Sequence, residues 1–178
     1  SGGSYIGAVT GLGTTEQIDY VTVNNLTLSG ADYVGAIFGQ AGAQTLDHIT
    51  VNNSTVSGAN YIGGIGGSSQ ATSTDLTVAN TNVSGTTNYV GGVFGSNAGA
   101  INRAYSTANI SGISYLGGIA GNNTSALVQV SSGGTITATG AGNYIGGIVG
   151  YQNAGSISKA VSIANVSGAS ASGVGGII

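Results

Sequence analysis

A short segment in which aliphatic and polar residues alternate returns throughout this chain. Its clearest copies are Val21–Asn25 (VTVNN) and Ile49–Asn53 (ITVNN), and looser copies are Leu76–Asn80, Tyr105–Asn109 and Val161–Asn165. A period of two is the periodicity of a β-strand, and β-branched residues suit a pleated, half-buried surface. The opposite face of each segment carries Thr, Ser, Asn and Ala. We therefore predict short strands whose aliphatic face points inward.

A glycine-rich motif, of which Tyr144–Gly150 (YIGGIVG) is the clearest copy, separates these segments. Its starts lie 28, 28, 28, 26, 29 and 29 residues apart, and a seventh copy, Gly173–Ile178, stops with the chain. A third element, an aliphatic residue followed by Ser-Gly as in Leu28–Gly30, precedes most copies. A repeat of this length indicates an array rather than packed globular domains. The six complete motifs begin at Tyr5, Tyr33, Tyr61, Tyr89, Tyr115 and Tyr144.

Three short strands in each repeat predict an all-β fold, a parallel β-solenoid of roughly six coils, where a coil is one turn of the chain about the axis. Neighbouring coils would pair at about 4.8 Å, which gives a rod of roughly 30 Å. No window has the helical spacing of apolar residues, so no helix is predicted. We interpret residues 1–178 as a single array and as a fragment of a longer chain. The segment between Gly121 and Tyr144 departs most from the repeat, and a bulge or displaced loop is expected there.

Stacked coils place equivalent residues over one another, so the repeat predicts files of identical side chains along the axis. The six motif tyrosines would form one file, either as a structural stack or as an aromatic strip that binds sugars. The Gly-Gly pairs, such as Gly63-Gly64, are interpreted as a corner or a tightly packed strand without room for a Cβ atom, since a phosphate-binding loop needs a following helix. Ala8 and Ala36 replace the second glycine, so that position tolerates a methyl group. A file of asparagines is predicted at an inner corner, where each amide would bond to the next coil; its members are Asn25, Asn53, Asn80, Asn109 and Asn165.

Two surface features leave binding or modification open. An outward Thr/Ser file resembles an ice-binding face, although the file beside it changes from Asn to Ala; it comprises Thr22, Thr50, Thr77, Ser106 and Ser162. Several asparagines lie in Asn-x-Ser/Thr glycosylation sequons. Because a buried asparagine cannot accept a sugar, the predicted acceptors are Asn122 and Asn123 in the irregular turn.

Charge is scarce: charged residues are 4% of the chain, the net charge is −3, and the only bases are Arg103 and Lys159. Two bases cannot neutralise a nucleic-acid backbone, so nucleic-acid binding is excluded. No apolar run approaches the roughly 18 residues of a membrane-spanning helix, so no membrane insertion is predicted. The chain contains no cysteine, which fits a surface protein that needs no disulfide.

Catalysis has little support in the sequence. His48 is the only histidine, and Asp47 and Asp75 are the only acids expected to approach it. A catalytic triad needs a nucleophile, a base and an orienting group together, and no such set is evident. The five acids are too dispersed for a glycosidase pair or for Asp-rich calcium repeats. We predict no enzymatic activity, cofactor or metal.

The YxGGIxG motif resembles the GLUG repeat of bacterial secreted and surface proteins, including large adhesins and the non-catalytic region of certain immunoglobulin-A peptidases. Copies cover essentially the whole chain, with Ile or Val where Leu is common in that family, and the peptidase zinc motif His-Glu-x-x-His is missing. The resemblance implies an extracellular, non-enzymatic, β-rich segment. We therefore expect a secreted or cell-surface rod or stalk of an adhesin or fibre. The alternatives are a subunit that stacks end to end with copies of itself and a face that binds host or surface glycans, or ice.

Overall fold

The computed structural model describes residues 3–14, 17–168 and 170–178, and these residues form four parallel β-sheets. Equivalent strands of successive coils pair in register, for example Val34 with Ile62 and Ile62 with Val90. The predicted parallel β-solenoid, with about six coils of about 28 residues, is confirmed. Among the described residues there is no helix long and apolar enough to cross a membrane.

We number the four sheets in the order in which a coil passes through them. Sheet 1 contains Asp32–Gly35, Asn60–Gly63, Asn88–Gly91, Ser114–Gly117, Asn143–Gly146 and Ser172–Gly175. Sheet 2 contains Thr10–Gly13, Phe38–Ala41, Gly66–Ser69, Phe94–Asn97, Ala120–Asn123 and Val149–Gln152. Sheet 3 contains Gln17–Asp19, Thr22–Asn24, Thr45–Asn52, Thr72–Ala79, Ile101–Ser106, Leu127–Ser132, Ile157–Ser158 and Val161–Ser162. Sheet 4 contains Thr27–Ser29, Thr55–Gly58, Asn82–Gly85, Asn109–Gly112, Thr135–Ala138 and Asn165–Ser167.

Each coil therefore passes through four sheets, and the coils that begin at Asp32, Asn60, Asn88 and Ser114 have four strands each, not the three that the sequence predicted. The glycine-rich motif makes two of them: Asn60–Gly63 belongs to sheet 1 and Gly66–Ser69 to sheet 2. Between them the chain turns at Gly64 and the fully buried Ile65. A Gly-Gly pair is a turn signal as well as a sign of close packing. Of the two predicted alternatives, a corner and a tightly packed strand, the corner is the one observed, with a strand on either side of it.

The glycines of the motif lie where the backbone of one coil touches that of another. A Cβ atom on Gly63 would lie 2.2 Å from a carbonyl oxygen of its own motif, and one on Gly64 would lie 2.2 Å from the carbonyl oxygen of Gly92. A Cβ atom on the last glycine, Gly67, would lie 2.5 Å from the backbone of Tyr33 in the preceding coil. The prediction that the Gly63-Gly64 pair has no room for a Cβ atom is confirmed, whereas the equivalent of Gly64 one coil earlier is the fully buried Ala36.

Files of aliphatic side chains fill the interior, and Phe38 and Phe94 add two rings whose centroids lie 5.9 Å apart. Gly66 lies between these two residues in sheet 2, and the Phe38 ring occupies the space that a side chain there would need. Full burial of one Val, Leu or Ile stabilises a fold by about 1.5–3 kcal/mol, so these files supply most of the favourable free energy. The fully buried members of two files are Val34, Ile62, Val90, Leu116 and Ile145, and Ile37, Ile65, Val93, Ile119 and Ile148.

The segment between Gly121 and Tyr144 keeps the register of the array, so the expected bulge or displaced loop is wrong for most of it. Its strand Leu127–Ser132 pairs regularly with Ile101–Ser106. The extra residues lie at one lengthened corner, residues 139–142, between sheets 4 and 1. The four preceding coils have only one or two residues at this corner. Variation in coil length is therefore absorbed without disturbing the sheets.

Candidate functional site

The six motif tyrosines form one continuous stack at the corner where each coil enters sheet 1. Neighbouring ring centroids lie 4.6–5.1 Å apart, with interplanar angles of 1–28°. Tyr151 packs against one end of the stack, 5.0 Å from Tyr144 and edge-on to Tyr115. The predicted tyrosine file is confirmed, with the members Tyr5, Tyr33, Tyr61, Tyr89, Tyr115 and Tyr144.

Every tyrosine of this file has a left-handed backbone, with φ between 52° and 63°. A residue other than glycine in this region is destabilised by roughly 1–2 kcal/mol. An aromatic pair contributes about 0.5–1.5 kcal/mol beyond the burial of its surface. The two magnitudes are similar, so the stack offsets the strain of the corner at which it forms.

Stacking leaves only the ring edges and hydroxyl groups of the inner tyrosines open to solvent. Neighbouring rings cover both faces of Tyr33 and Tyr61. Burial, and then the neighbouring tyrosines, raise the pKa of Tyr33, Tyr61 and Tyr115. Because a sugar packs its C–H groups against the face of an aromatic ring, the covered faces of these inner tyrosines favour a structural stack over a sugar-binding strip.

The asparagines predicted as one buried file lie in two exposed files. Asn25, Asn53 and Asn80 occupy the corner after sheet 3, with exposed side chains and φ between 49° and 56°. Asn109 and Asn165 are also exposed but lie in sheet 4, two residues further along the coil. The prediction of an inner corner is wrong because a left-handed turn interrupts the strand alternation on which it relied. Asparagine tolerates that backbone region better than most residues, which explains its presence there.

A buried amide ladder does exist, at the end of sheet 2. Asn97 donates from Nδ2 to Asn123 Oδ1 at 2.7 Å, and Asn123 donates in turn to Gln152 Oε1 at 3.0 Å. Asn97 and Asn123 are fully buried, so the prediction of Asn123 as a glycosylation acceptor is wrong. Asn122 is half-buried and donates to Ser96 Oγ at 3.3 Å, and its glycosylation stays a prediction.

The outward threonine file is shorter than predicted. The stacked members are Thr22, Thr50 and Thr77. The next residue in the file is Tyr105, whereas Ser106 is fully buried in the neighbouring inward file, to which Ser162 also belongs. The later sequence copies are thus shifted by one residue, and such a shift exchanges the two faces of a strand. The flat threonine surface expected of an ice-binding face is interrupted after the third coil.

A second outward file, on sheet 3, carries both bases and the single histidine of the chain. Tyr20 stacks on His48 with ring centroids 4.6 Å apart. His48 Nδ1 lies 2.9 Å from Asp47 Oδ1, and its Nε2 lies 3.6 Å from Asp75 Oδ2. Arg103 donates from Nε and Nη2 to the two oxygens of Asp75, at 2.5 and 2.7 Å. The members of this file all have φ between 52° and 66°, and are Tyr20, His48, Asp75, Arg103, Gln129 and Lys159.

The structure brings Asp47, His48 and Asp75 together, with ligand atoms within 4.8 Å of one another. Arg103 engages both oxygens of Asp75, and this hydrogen bonding is the main reason that the pKa of Asp75 lies below its usual value. The Asp75–Arg103 ion pair is therefore the centre of the cluster, and His48 lies beside it. Sequence reasoning missed Arg103, although it follows Asp75 by 28 residues, the length of one coil.

Tyr105 and the Asp75–Arg103 pair line a shallow groove of about 360 Å³ on sheet 3. Its floor is formed by two inward-facing residues, Leu76 and Ala104. One wall is the file of Asp75, Arg103 and Gln129, and the other is the file of Thr77, Tyr105 and Ser131. The groove thus combines an exposed aromatic ring with a charged pair, an amide and hydroxyl groups.

No family model matches the chain, and no curated protein or solved structure matches it either. The resemblance of its motif to the GLUG repeat therefore remains a prediction from the residues.

Proposed function

We propose that this chain is a rigid, non-enzymatic rod segment of a secreted or cell-surface protein, such as an adhesin stalk or an extracellular fibre. The observation that carries the proposal is the continuity of four parallel sheets along the array. Each coil is held to the next on four sides, so the coils cannot bend independently. In such an array, length grows in proportion to the number of coils.

The interior supports the same role. Its aliphatic files run from one coil to the next and include the fully buried Ile62, Val90 and Leu116. The buried Asn97 and Asn123 amides are bonded along the axis as well. Core packing and polar bonds thus both join coil to coil, which suits a spacer that transmits load along its axis.

The surface suits a protease-rich extracellular setting. Trypsin cleaves after Arg or Lys, and the chain has only Arg103 and Lys159. Arg103 lies inside the strand Ile101–Ser106, which is paired on both sides in sheet 3. Cleavage there requires local unfolding of a paired strand, so the folded segment should resist cleavage at Arg103. Lys159 is exposed between the short strands Ile157–Ser158 and Val161–Ser162, and cleavage is expected there first.

Removal of one whole coil tests the rod. Deletion of residues 61–88 joins Asn60 to Tyr89 and restores the Asn-Tyr junction of a regular coil. Spin labels on cysteines introduced at Thr27 and Asn165, five coil steps apart in one exposed file of sheet 4, should lie about 24 Å apart before the deletion and about 19 Å after it. The far-UV circular dichroism spectrum and the resistance of Arg103 to trypsin should be retained.

The matched control removes half a coil, residues 61–74, which joins strands of different sheets. This variant should lose its fold and its protease resistance, because every later strand is displaced from its partner. Equal tolerance of both deletions would contradict the rod. Location is tested separately with an antibody to the segment: staining of intact producing cells is expected, and staining only after permeabilisation would refute a surface role.

A further inference from the structure

The groove on sheet 3 differs from the tyrosine stack in one respect that matters for binding. Tyr105 is 46% exposed, and its neighbours in the same file are Thr77 and Ser131. Both neighbours are too small to cover an aromatic ring, whereas each inner tyrosine of the stack is covered on both faces. Tyr105 therefore offers an apolar surface at the rim of a groove.

The opposite wall offers hydrogen-bonding groups of both kinds. The Asp75 carboxylate accepts, the Arg103 guanidinium donates, and the Gln129 amide does both. Arg103 and Asp75 hold each other through two hydrogen bonds, so these groups are fixed in place before a ligand arrives. A ligand with several hydroxyl groups on an apolar ring matches this combination of an aromatic surface and a preorganised polar wall.

The local charge selects among such ligands. Asp47 and Asp75 lie near the single guanidinium of Arg103, and Asp75 already pairs with it. The groove lining itself contains one carboxylate, Asp75, and one guanidinium, Arg103, so its charges balance. Phosphate, sulfate or carboxylate groups would have to displace Asp75 from Arg103, so an uncharged ligand is favoured.

We propose that this groove binds a neutral glycan, with one pyranose ring on Tyr105 and its hydroxyl groups on Asp75, Arg103 and Gln129. The volume of about 360 Å³ is near the lower end of ligand sites and suits one or two sugar rings. The site is distinct from the motif tyrosines, and it lies where Tyr105 interrupts the threonine file after Thr77. It does not depend on the rod function, since a rod without this site would keep its shape.

The test uses the whole chain and a panel of neutral oligosaccharides built from glucose, galactose, mannose, xylose or N-acetylglucosamine. Sialylated and sulfated glycans form the comparison arm. Amide chemical shifts in NMR should change at Thr77, Arg103 and Gln129 with at least one neutral series. Calorimetry on that series should show affinity about tenfold weaker for Tyr105→Ala, the upper end for one aromatic contact, and within about twofold for Tyr105→Phe.

Two further variants separate binding from folding. Tyr20→Ala removes another exposed tyrosine of sheet 3's outer surface, one that does not line the groove, and should bind like the parent chain. Gln129→Ala keeps the ring but removes the amide, and should weaken binding about threefold or more. The proposal is overturned if no neutral glycan shifts the groove amides, if only charged glycans bind, or if both Tyr105→Ala and Gln129→Ala bind as tightly as the parent.

Discussion

Replacement of Gly92 by alanine tests the backbone contact between coils at the Gly-Gly pairs. The added Cβ atom would lie 2.1 Å from the carbonyl oxygen of Gly118 and 2.3 Å from Ser106 Oγ, where ordinary contact begins at 3.4 Å. A backbone oxygen cannot rotate away as a side chain can, so one coil must shift against the next. The shift strains the bond from the Gly92 amide to the Gly117 carbonyl oxygen, now 3.0 Å. Overpacking costs about 1–3 kcal/mol and a weakened hydrogen bond about 1 kcal/mol, so we expect a loss of roughly 3 kcal/mol.

The matched control is Gly133→Ala, at a buried glycine whose added Cβ atom would meet its nearest neighbour, Ile163, at 3.5 Å. This variant should match the parent or gain up to about 1 kcal/mol, because alanine reduces the entropy of the unfolded chain. Guanidinium unfolding followed by circular dichroism gives the midpoints, provided that the slopes agree. Ala36 holds the place equivalent to Gly92 two coils earlier and is fully buried. Equal midpoints for Gly92→Ala and Gly133→Ala would therefore show that any coil can adjust to a methyl group, and would refute the reasoning.

Three other perturbations are expected to give distinct results. Asn123→Leu breaks the buried amide ladder and should lower the free energy of unfolding by about 1–3 kcal/mol. Its control, Asn122→Leu, should change the free energy of unfolding by no more than about 0.5 kcal/mol. Similar losses in both variants would contradict a stabilising role for the ladder. Burial raises the pKa of Tyr61 above its usual 10.0, which means that the folded chain favours the neutral phenol. The contribution of this group to the free energy of unfolding is fully present below about pH 10 and is lost as pH rises through the pKa of the folded state. Tyrosinate absorbance should thus appear at higher pH in folded than in denatured chain, and coincident curves would contradict this. Arg103→Gln should raise the pKa of Asp75, measured by carboxyl-carbon NMR, because the lowered pKa depends on the guanidinium. In the parent chain, the contribution of the ionised Asp75 to the free energy of unfolding is lost only as pH falls through that lowered pKa. The melting temperature at neutral pH should hardly change, since the pair is exposed.

The fold class could be predicted because residues that stack in successive coils share the same surroundings, and similar residues therefore recur in the sequence once per coil. The tyrosine file shows this most directly, since one residue type recurs at each coil and its rings meet within 5.1 Å. The asparagine file could not be placed in this way. Strand alternation assigns a face only while the strand is continuous, and the left-handed turn at Asn25 and Asn53 reverses the assignment.

The candidate groove was missed for a related reason. In the fourth coil the inward residue is Ala104, and alanine is too weak an apolar signal to set the alternation. The segment beginning at Tyr105 was therefore aligned one residue away from its place, which put Tyr105 inside and Ser106 outside. The Asp75–Arg103 pair was recoverable, because oppositely charged residues one coil length apart are neighbours in a solenoid.

The corner between sheets 4 and 1 has a consequence for how such a protein can diversify. It is a single residue at Ile113 and four residues at 139–142, while the strands on both sides keep their partners. Loops, epitopes or whole folded modules can therefore be grafted there without shifting the scaffold. Each graft would project at a position along the axis set by its coil, so the available positions are spaced about 4.8 Å apart.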